Sequence, residues 1–347
     1  MTMGNKKEIL CIVVPCYNEE EVLPETNRRL QETLASLAGK GLVAESSFIL
    51  YVNNGSSDRT WDTIKSLHAA DGHARGVSLA ANAGHQNALV AGLTVAVDCS
   101  DVTITIDADL QDDVNAIGEM VRRYHEGYDI VYGVRSSRKS DTCFKRLTAY
   151  GFYSLMRQMG IKSMYNHADY RLMSKRAVRF LLEHHERNLF LRGMIPLIGY
   201  KSTCVYYARS RRFAGESKYP FVKMMSFAVN GIVNFSIRPV RLVLASGFIF
   251  IAIALCILAW VLYTYAAHNT VRGWASLMLS IWFCSGFILI GMGIIGEYIG
   301  KIYIEVKNRP LFNIEETLGI PQAQEAQPAS PQRLEGAKDH NQAKPRQ

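Results

Sequence analysis

The sequence predicts an α/β domain built on a mostly parallel sheet, followed by two helices that cross a membrane. Short β-branched apolar runs alternate with helical segments five times up to Val134, the pattern of a parallel sheet covered on both faces. Polar clusters end those runs, where open α/β sheets hold their ligands. Beyond Arg241, residues 242–265 and 275–299 are apolar and nearly free of charge, and each reaches the about 20 residues that a bilayer requires.

Residues 9–15 read as the first buried strand, followed by a polar turn and an amphipathic helix to about residue 37. Residues 48–52 form the second strand, which ends in Asn53-Asn54-Gly55-Ser56-Ser57-Asp58, and a helix follows to about residue 70. A third strand at 76–80 leads into a helix over 85–97. The fourth, 102–106, delivers Asp107-Ala108-Asp109-Leu110-Gln111-Asp112-Asp113; a helix then runs to about residue 126, and a strand covers 129–134. After Arg135 the alternation stops. Arg135, Arg138, Lys139, Lys145 and Arg146 make a basic stretch, 152–159 reads as helix, and a polar segment leads to His167-Ala168-Asp169-Tyr170-Arg171. A basic, glycine-containing loop occupies 209–219. Residues 221–235 carry Phe221, Met224, Met225, Ala228, Ile232 and Phe235 at helical spacing, which suits an interfacial helix on a membrane or ordinary core packing. From residue 321 the tail, rich in Gln, Ala and Pro, has no periodicity and is expected to be disordered.

The overall hydropathy, near zero, averages these unlike halves. Arg238 and Arg241 precede the first span, and Lys301, Lys307 and Arg309 follow the second, whereas the connection carries only Arg272. The positive-inside rule then puts both termini and the large domain on the cytoplasmic side. Neither span is a cleavable signal, since both lie far from the N-terminus. The seven cysteines are scattered without a CxxC pair, as a reducing compartment allows. A net charge of +8 suits an anionic membrane surface. With no zinc-ligand spacing and no RNA-binding signature, nucleic acid is not expected as a partner.

Asp107 and Asp109 stand two apart, so on an extended backbone both side chains leave on one face. Two convergent hard oxygens suit Mg²⁺ or Mn²⁺ carrying a diphosphate. The competing structural reading is a helix N-terminus, and it is adopted for Asp112 and Asp113, whose charges complement the dipole of the next helix.

PCYNEE at 15–20, NNGSSDRT at 53–60 and DADLQDD at 107–113 together resemble the inverting glycosyltransferase family 2, which implies a GT-A fold. HADYRLMS at 167–174, ERNLFLRG at 186–193, FAGESKY at 213–219 and GEYIGKIYIEVKNRP at 296–310 are similar to its polyprenyl-phosphate branch. That branch includes the bactoprenol glucosyltransferases and resembles dolichyl-phosphate mannose synthase. The resemblance spans about residues 9–318. It implies a GT-A domain over 1–219, juxtamembrane helices over 220–241, two spans within 242–300, a cytoplasmic segment over 301–320 and a disordered tail over 321–347. It also implies a multi-pass protein of the bacterial inner membrane; a homo-oligomer is compatible with this plan.

The resemblance assigns roles. Pro15, Tyr17, Asn18 and Glu19 cup the base and ribose of a nucleotide sugar, with Asn54, Asp107 and Ala108 contributing. Asp58 serves either as a helix cap or as a base contact. The family's usual pair of acids is replaced by Asn53 and Asn54; an Asn carbonyl still accepts a hydrogen bond from uracil N3–H, so the change points to altered base binding rather than inactivity. Asp107 is the sugar- or nucleotide-side carboxylate and Asp109 the metal ligand, with Gln111 as an additional ligand. The divalent ion, Mg²⁺ or Mn²⁺, offsets charge on the departing nucleoside diphosphate. Ser217, Lys218 and Tyr219, after Gly215, suit phosphate or form a solvated loop. Arg135, Arg138, Arg171 and Arg209 are candidates for the acceptor phosphate; for Arg135, Arg138 and Arg209 an anionic-lipid patch is the alternative.

Asp169 occupies a position proposed as catalytic base. A phosphomonoester has its second pKa near about 6, however, so the acceptor oxygen is already ionised and needs alignment more than proton removal. Asp169 is expected to take part directly with Asp107 and Asp109 as a catalytic residue; the alternative is that it orients Arg171 or a sugar hydroxyl. His85 and Gln86, after Gly84, either touch the sugar or cap their helix. None of the four tryptophans lies in the Gln-x-x-Arg-Trp motif of processive synthases, so one sugar per acceptor is expected. The expected reaction is transfer of glucose from UDP-glucose to undecaprenyl phosphate, with inversion, for O-antigen or other envelope glycan modification. GDP-mannose, UDP-GlcNAc and UDP-4-amino-4-deoxyarabinose are alternative donors. A non-catalytic membrane scaffold with a relic nucleotide fold is the rival class, kept open by Asn53 and Asn54.

Overall fold

The computed structural model describes residues 7–136, 167–184, 191–208 and 273–320, with isolated positions between 240 and 263. The expected helix at 152–159, the loop at 209–219, the segment at 221–235 and the tail lie outside the described residues, as does most of the first expected span.

Four strands form the N-terminal half of the sheet: β1 (Leu10–Cys16), β2 (Phe48–Asn53), β3 (Ala74–Leu79) and β4 (Val102–Thr105). The helices α1 (Leu23–Gly39), α2 (Thr60–Ala70) and α3 (His85–Cys99) connect them, so β4, β1, β2 and β3 lie side by side and parallel, as the alternation predicts. Along β1, Leu10, Ile12, Val14 and Cys16 pack on the α1 face, and Cys11 and Val13 on the α3 face. That double burial is why the run is apolar throughout rather than alternating. At Gly92 of α3 an added Cβ would stand 2.4 Å from Val13 and 2.8 Å from Val52, so glycine sets how closely this helix approaches the sheet.

The second half departs from the expected parallel order. After α4 (Ala116–His125) and β5 (Ile130–Arg135), the HADYRLMS motif, which the sequence alone assigns to no strand or helix, forms β6 (His167–Ser174). It is inserted antiparallel between β4 and β5. Then come α5 (Lys175–Leu182), the short α6 (Leu191–Met194) with a 3₁₀ turn at Ile195–Ile198, and β7 (Ser202–Tyr207), parallel to β5. The sheet is therefore mixed. Asp169 and Arg171, conspicuously charged for a central strand, are what hid β6 from a hydrophobicity pattern.

Helix α7 (Trp274–Lys307) ends at Asn308, which adopts a left-handed C-cap conformation. Within it, Phe283–Lys307 is, among the described residues, the one stretch long and apolar enough to cross a membrane. Phe283, Leu289, Ile290, Met292 and Ile295 are exposed, so this is not the core helix of a soluble domain. It coincides with the second expected span. The chain then returns to the N-terminal sheet as β8 (Ile314–Leu318), antiparallel on the edge of β3, with Trp61 Nε1 donating to Glu316 Oε2 at 2.8 Å. The sheet has eight strands in the order β7-β5-β6-β4-β1-β2-β3-β8, and the last is contributed from beyond the apolar helix.

Candidate active site

The expected nucleotide rim lies at the C-terminal ends of β1 and β2 and is tied by hydrogen bonds of Asn, Ser and Thr side chains together with the Asp58 carboxylate. Asn18 has a φ of 55°, a conformation Asn tolerates. Its N–H donates to Ser56 Oγ at 3.1 Å, and its side-chain oxygen accepts from Ser57 N–H at 2.9 Å. Glu19 N–H donates to Thr60 Oγ1 at 2.9 Å. Asp58 accepts from the N–H groups of Thr60 and Glu20, at 3.0 and 3.3 Å, and from Thr60 Oγ1 at 2.5 Å, which hold its carboxyl below the usual range against the opposing effect of burial. Of its two expected roles, Asp58 is thus engaged in bracing the turn. Pro15 is buried and Tyr17 exposed at this rim.

Asn53 and Asn54 are both buried. Asn53 donates to Ser78 Oγ at 3.0 Å and accepts from Ser56 N–H at 3.2 Å. Asn54 Oδ1 accepts from Ala83 N–H at 2.9 Å, and its Nδ2 donates to Asn82 Oδ1 at 3.3 Å, while Asn82 in turn accepts from Gly84 N–H. Asn53 ties the end of β2 to β3, and Asn54 ties the turn after β2 to the loop that starts α3. Gly55, at φ 63°, lies so close to that loop that a Cβ would stand 2.4 Å from Asn82 N.

The acid turn follows β4. Leu110 adopts φ 56°, unusual for a bulky residue, with its side chain buried in the core. Gln111 N–H donates to the buried Asp109 Oδ1 at 3.1 Å. Ala108 is buried, its carbonyl accepting from Thr26 Oγ1 at 2.8 Å. Asp107 keeps 35% side-chain exposure. Burial of its carboxyl and the charges of Asp169, Asp112 and Asp109 push it up to about 6, despite the lowering influence of His85. Among the described residues no three His, Cys, Asp or Glu side chains converge on one point. The donor set instead fits an ion such as Mg²⁺, which takes one or two carboxylates and completes its shell with water and phosphate oxygens. Crowded carboxylates of this kind favour a cation.

Beside β4, the register that pairs Thr105 with Arg171 brings Asp169 level with Asp107. Asp169 is buried, and Arg171 Nη2 donates to its Oδ1. Arg192 forks onto it, Nε to Oδ1 at 3.3 Å and Nη2 to Oδ2 at 3.1 Å. His85 Nε2 lies 3.5 Å from Asp169 Oδ2 and 3.6 Å from Asp107 Oδ1. Burial raises the Asp169 carboxyl, but His85, Arg171 and Arg192 outweigh it and hold it well below the usual range. A carboxylate so held is a poor proton acceptor, and its contacts are those of a group that fixes neighbouring side chains. For Arg171 a correction is needed: at 1% exposure it lies behind Asp169 and does not reach an acceptor phosphate.

Asp112 also departs from expectation. It is buried, and its Oδ1 accepts from Arg135, at 3.3 Å from Nε and 3.0 Å from Nη2, and from Tyr207 Oη at 2.6 Å. It is a counter-charge to Arg135, not a solvated dipole partner. Asp113, whose Oδ1 accepts from Asn115 N–H at 3.0 Å, does sit at the start of α4. Arg138, Arg209, Ser217, Lys218 and Tyr219 lie outside the described residues. Arg192 and Tyr207 were not singled out from sequence; Arg192 lay within the quoted ERNLFLRG motif, whereas nothing distinguished Tyr207 from a strand aromatic.

The profile described as Glycosyl transferase family 2 matches residues 11–182. The uncharacterized glycosyltransferase YkoT of Bacillus subtilis is 50% identical over 96% of this chain and 99% of its own. The SfII prophage-derived bactoprenol glucosyl transferase of Shigella flexneri is 38% identical over 89% of this chain and 98% of its own. Among solved structures, glucosyl-3-phosphoglycerate synthase of Mycobacterium tuberculosis, in complex with Mn²⁺, UDP and phosphoglyceric acid, aligns with 65% of this chain and 76% of its own at 17% identity and a TM-score of 0.42. With relatives this similar over nearly its whole length, the chain belongs to glycosyl transferase family 2 and is a glycosyltransferase.

Proposed function

We propose that this enzyme transfers one glucose from UDP-glucose to undecaprenyl phosphate at the cytoplasmic face of the bacterial inner membrane, with inversion at C1. The observation that carries the reading is a carboxylate turn at the C-terminal end of the central strand β4 in a chain that also bears an exposed apolar helix; full-length similarity to a bactoprenol glucosyl transferase supports it. Asp109, with Gln111, would hold Mg²⁺ or Mn²⁺, which supplies charge neutralisation for the departing diphosphate. Asp107 faces the sugar side, and the rim from Pro15 to Glu19 with Asn54 receives base and ribose. The acceptor arrives ionised, so the residues align it in line with C1 and oppose phosphate–phosphate repulsion, with Arg135, held by Asp112, as one cationic contact. Residues 242–265 and α7 are the expected two-span anchor with both termini cytoplasmic; Arg138, Arg209 and residues 217–219, expected on the acceptor side, lie outside the described residues. The β-linked product serves envelope glycan modification.

The test uses full-length protein in detergent with Mn²⁺, labelled UDP-glucose and undecaprenyl phosphate. A lipid-extractable labelled sugar is expected, and Asp109→Ala is expected to lower its rate at least about a hundredfold. Full activity in that variant overturns the metal assignment. Faster turnover with GDP-mannose, UDP-GlcNAc or UDP-4-amino-4-deoxyarabinose reassigns the donor, for which the neutral Asn53–Asn54 pair is the reason to look.

A further inference from the structure

His85 opens α3 and has no role in the reaction as written above, yet the backbone that carries it is held from several sides. Asn82 Oδ1 accepts from Gly84 N–H at 2.9 Å, Asn87 Nδ2 donates to the Ala83 carbonyl at 2.8 Å, and Gln86 Oε1 accepts from Leu191 N–H at 3.2 Å. So placed, the imidazole stands between two carboxylates. Its Nε2 lies 3.5 Å from Asp169 Oδ2 and 3.6 Å from Asp107 Oδ1.

Those two carboxylates are unlike. Asp169 is buried and already fixed by Arg171 and by the fork of Arg192. Asp107 is partly exposed, and the other charges that act on it, from Asp169, Asp112 and Asp109, are all negative. Among the described residues His85 is its one ion-pair partner. Repulsion from three acids would swing a lone carboxylate away from them, whereas a ring shared with an immobile neighbour holds it in place. Position matters at a reacting centre, where a misplacement of about 1 Å can cost about a hundredfold in rate. We propose that His85 is a positioning residue of the transfer reaction: it ties the Asp107 carboxylate, on the sugar side of the cleft, to the fixed Asp169 and so sets where the donor sugar is held. The ring acts through Asp107 and does not itself contact the sugar.

This inference rests on the assignment of Asp107 to the donor sugar, and a double-variant cycle separates the two. Wild type, His85→Ala, His85→Gln, Asp107→Asn and the two His85 changes combined with Asp107→Asn are assayed as full-length protein in detergent with Mg²⁺, UDP-glucose and undecaprenyl phosphate. His85→Ala is expected to lower kcat roughly tenfold to a hundredfold, with the acceptor KM within about twofold. His85→Gln, which keeps an N–H donor, is expected to recover part of that loss. In the Asp107→Asn background His85→Ala is expected to cost less than about twofold more, because the carboxylate that it serves is already gone. Thermal stabilisation by UDP with Mg²⁺ shows which variants are folded; should His85→Ala fail it, His85→Gln carries the cycle. Losses that multiply in the combined variant, a kcat in His85→Ala within about twofold of wild type, or a change confined to the acceptor KM overturns the proposal. Full activity in Asp107→Asn refutes the parent assignment and this proposal with it. If wild type labels no lipid with any donor, the polyprenyl-phosphate reading fails instead.

Discussion

The two flanks of the cleft are built from opposite materials. On the nucleotide side, Asn18, Asn53, Asn54, Ser56 and Asn82 share short-range neutral hydrogen bonds, mostly to backbone N–H groups of turns. On the other side Asp107, Asp169, Asp112, His85, Arg171, Arg192 and Arg135 form charge pairs around buried carboxylates. A neutral lattice holds a backbone shape, the one proposed to receive base and ribose, and losing one member exposes one or two unsatisfied groups. A buried ionic cluster holds side chains by charge balance, so removing one member uncompensates the rest. The first flank should therefore fail locally and the second collectively.

That contrast breaks most sharply at Arg171. Arg171→Met leaves Asp169 buried beside Arg192 and His85 without its innermost counter-charge. It is expected to destabilise the domain by about 3 kcal/mol, read from denaturation midpoints of wild type and variant side by side. A loss no larger than that of a surface substitution would show that Arg192 and His85 alone satisfy Asp169. Asn54→Ala removes the acceptor for Ala83 N–H and the donor to Asn82. Its expected cost is smaller, about 1–2 kcal/mol, with a raised donor KM and an acceptor KM unchanged. An equal effect on the acceptor KM would mean that the flanks are mechanically coupled.

The smallest expected effect is on pH dependence. Burial lowers the proton affinity of His85, but Asp169 and Asp107 outweigh burial and raise it above the ordinary value. Its contribution to stability is therefore complete below about 6.5, the unfolded value, and is lost as pH rises through the higher folded value. Asp169 runs the other way: its lowered pKa contributes stability above about 3.9 that is lost only in strong acid. Metal-free protein should thus melt at slightly lower temperature as pH is raised from about 6 to 8, and His85→Gln should flatten that slope. An unchanged slope in the variant assigns the effect elsewhere. The shift is small because His85 is nearly half exposed and screened by solvent.

Much of the fold is written locally. Phe48 to Val52 and Leu10 to Val14 are continuous apolar runs because both sheet faces are covered, and Val102 to Thr105 is wholly β-branched; shortness and β-branched or aromatic content mark them as strands. The acid turn and the rim at Asn53-Asn54-Gly55 were legible for the same reason: strand, polar turn and helix follow one another along the chain. Likewise the apolar character of α7 needs no partner to be recognised.

What sequence by itself determined, then, is every feature set by neighbours along the chain: the strand–helix alternation, the apolar helix, and carboxylates delivered by β4. Tertiary structure alone decided which charges meet. Asp169 and Arg171 break the hydrophobic pattern of a central strand, and only the antiparallel register beside β4 shows that they face His85 and Arg192 rather than water. The same holds for Asp112 with Arg135 and Tyr207, and for β8, which returns to the sheet edge from beyond the apolar helix. Pairings of this kind join residues tens to hundreds of positions apart. Their energy depends on distance and burial in space, and a one-dimensional pattern carries neither.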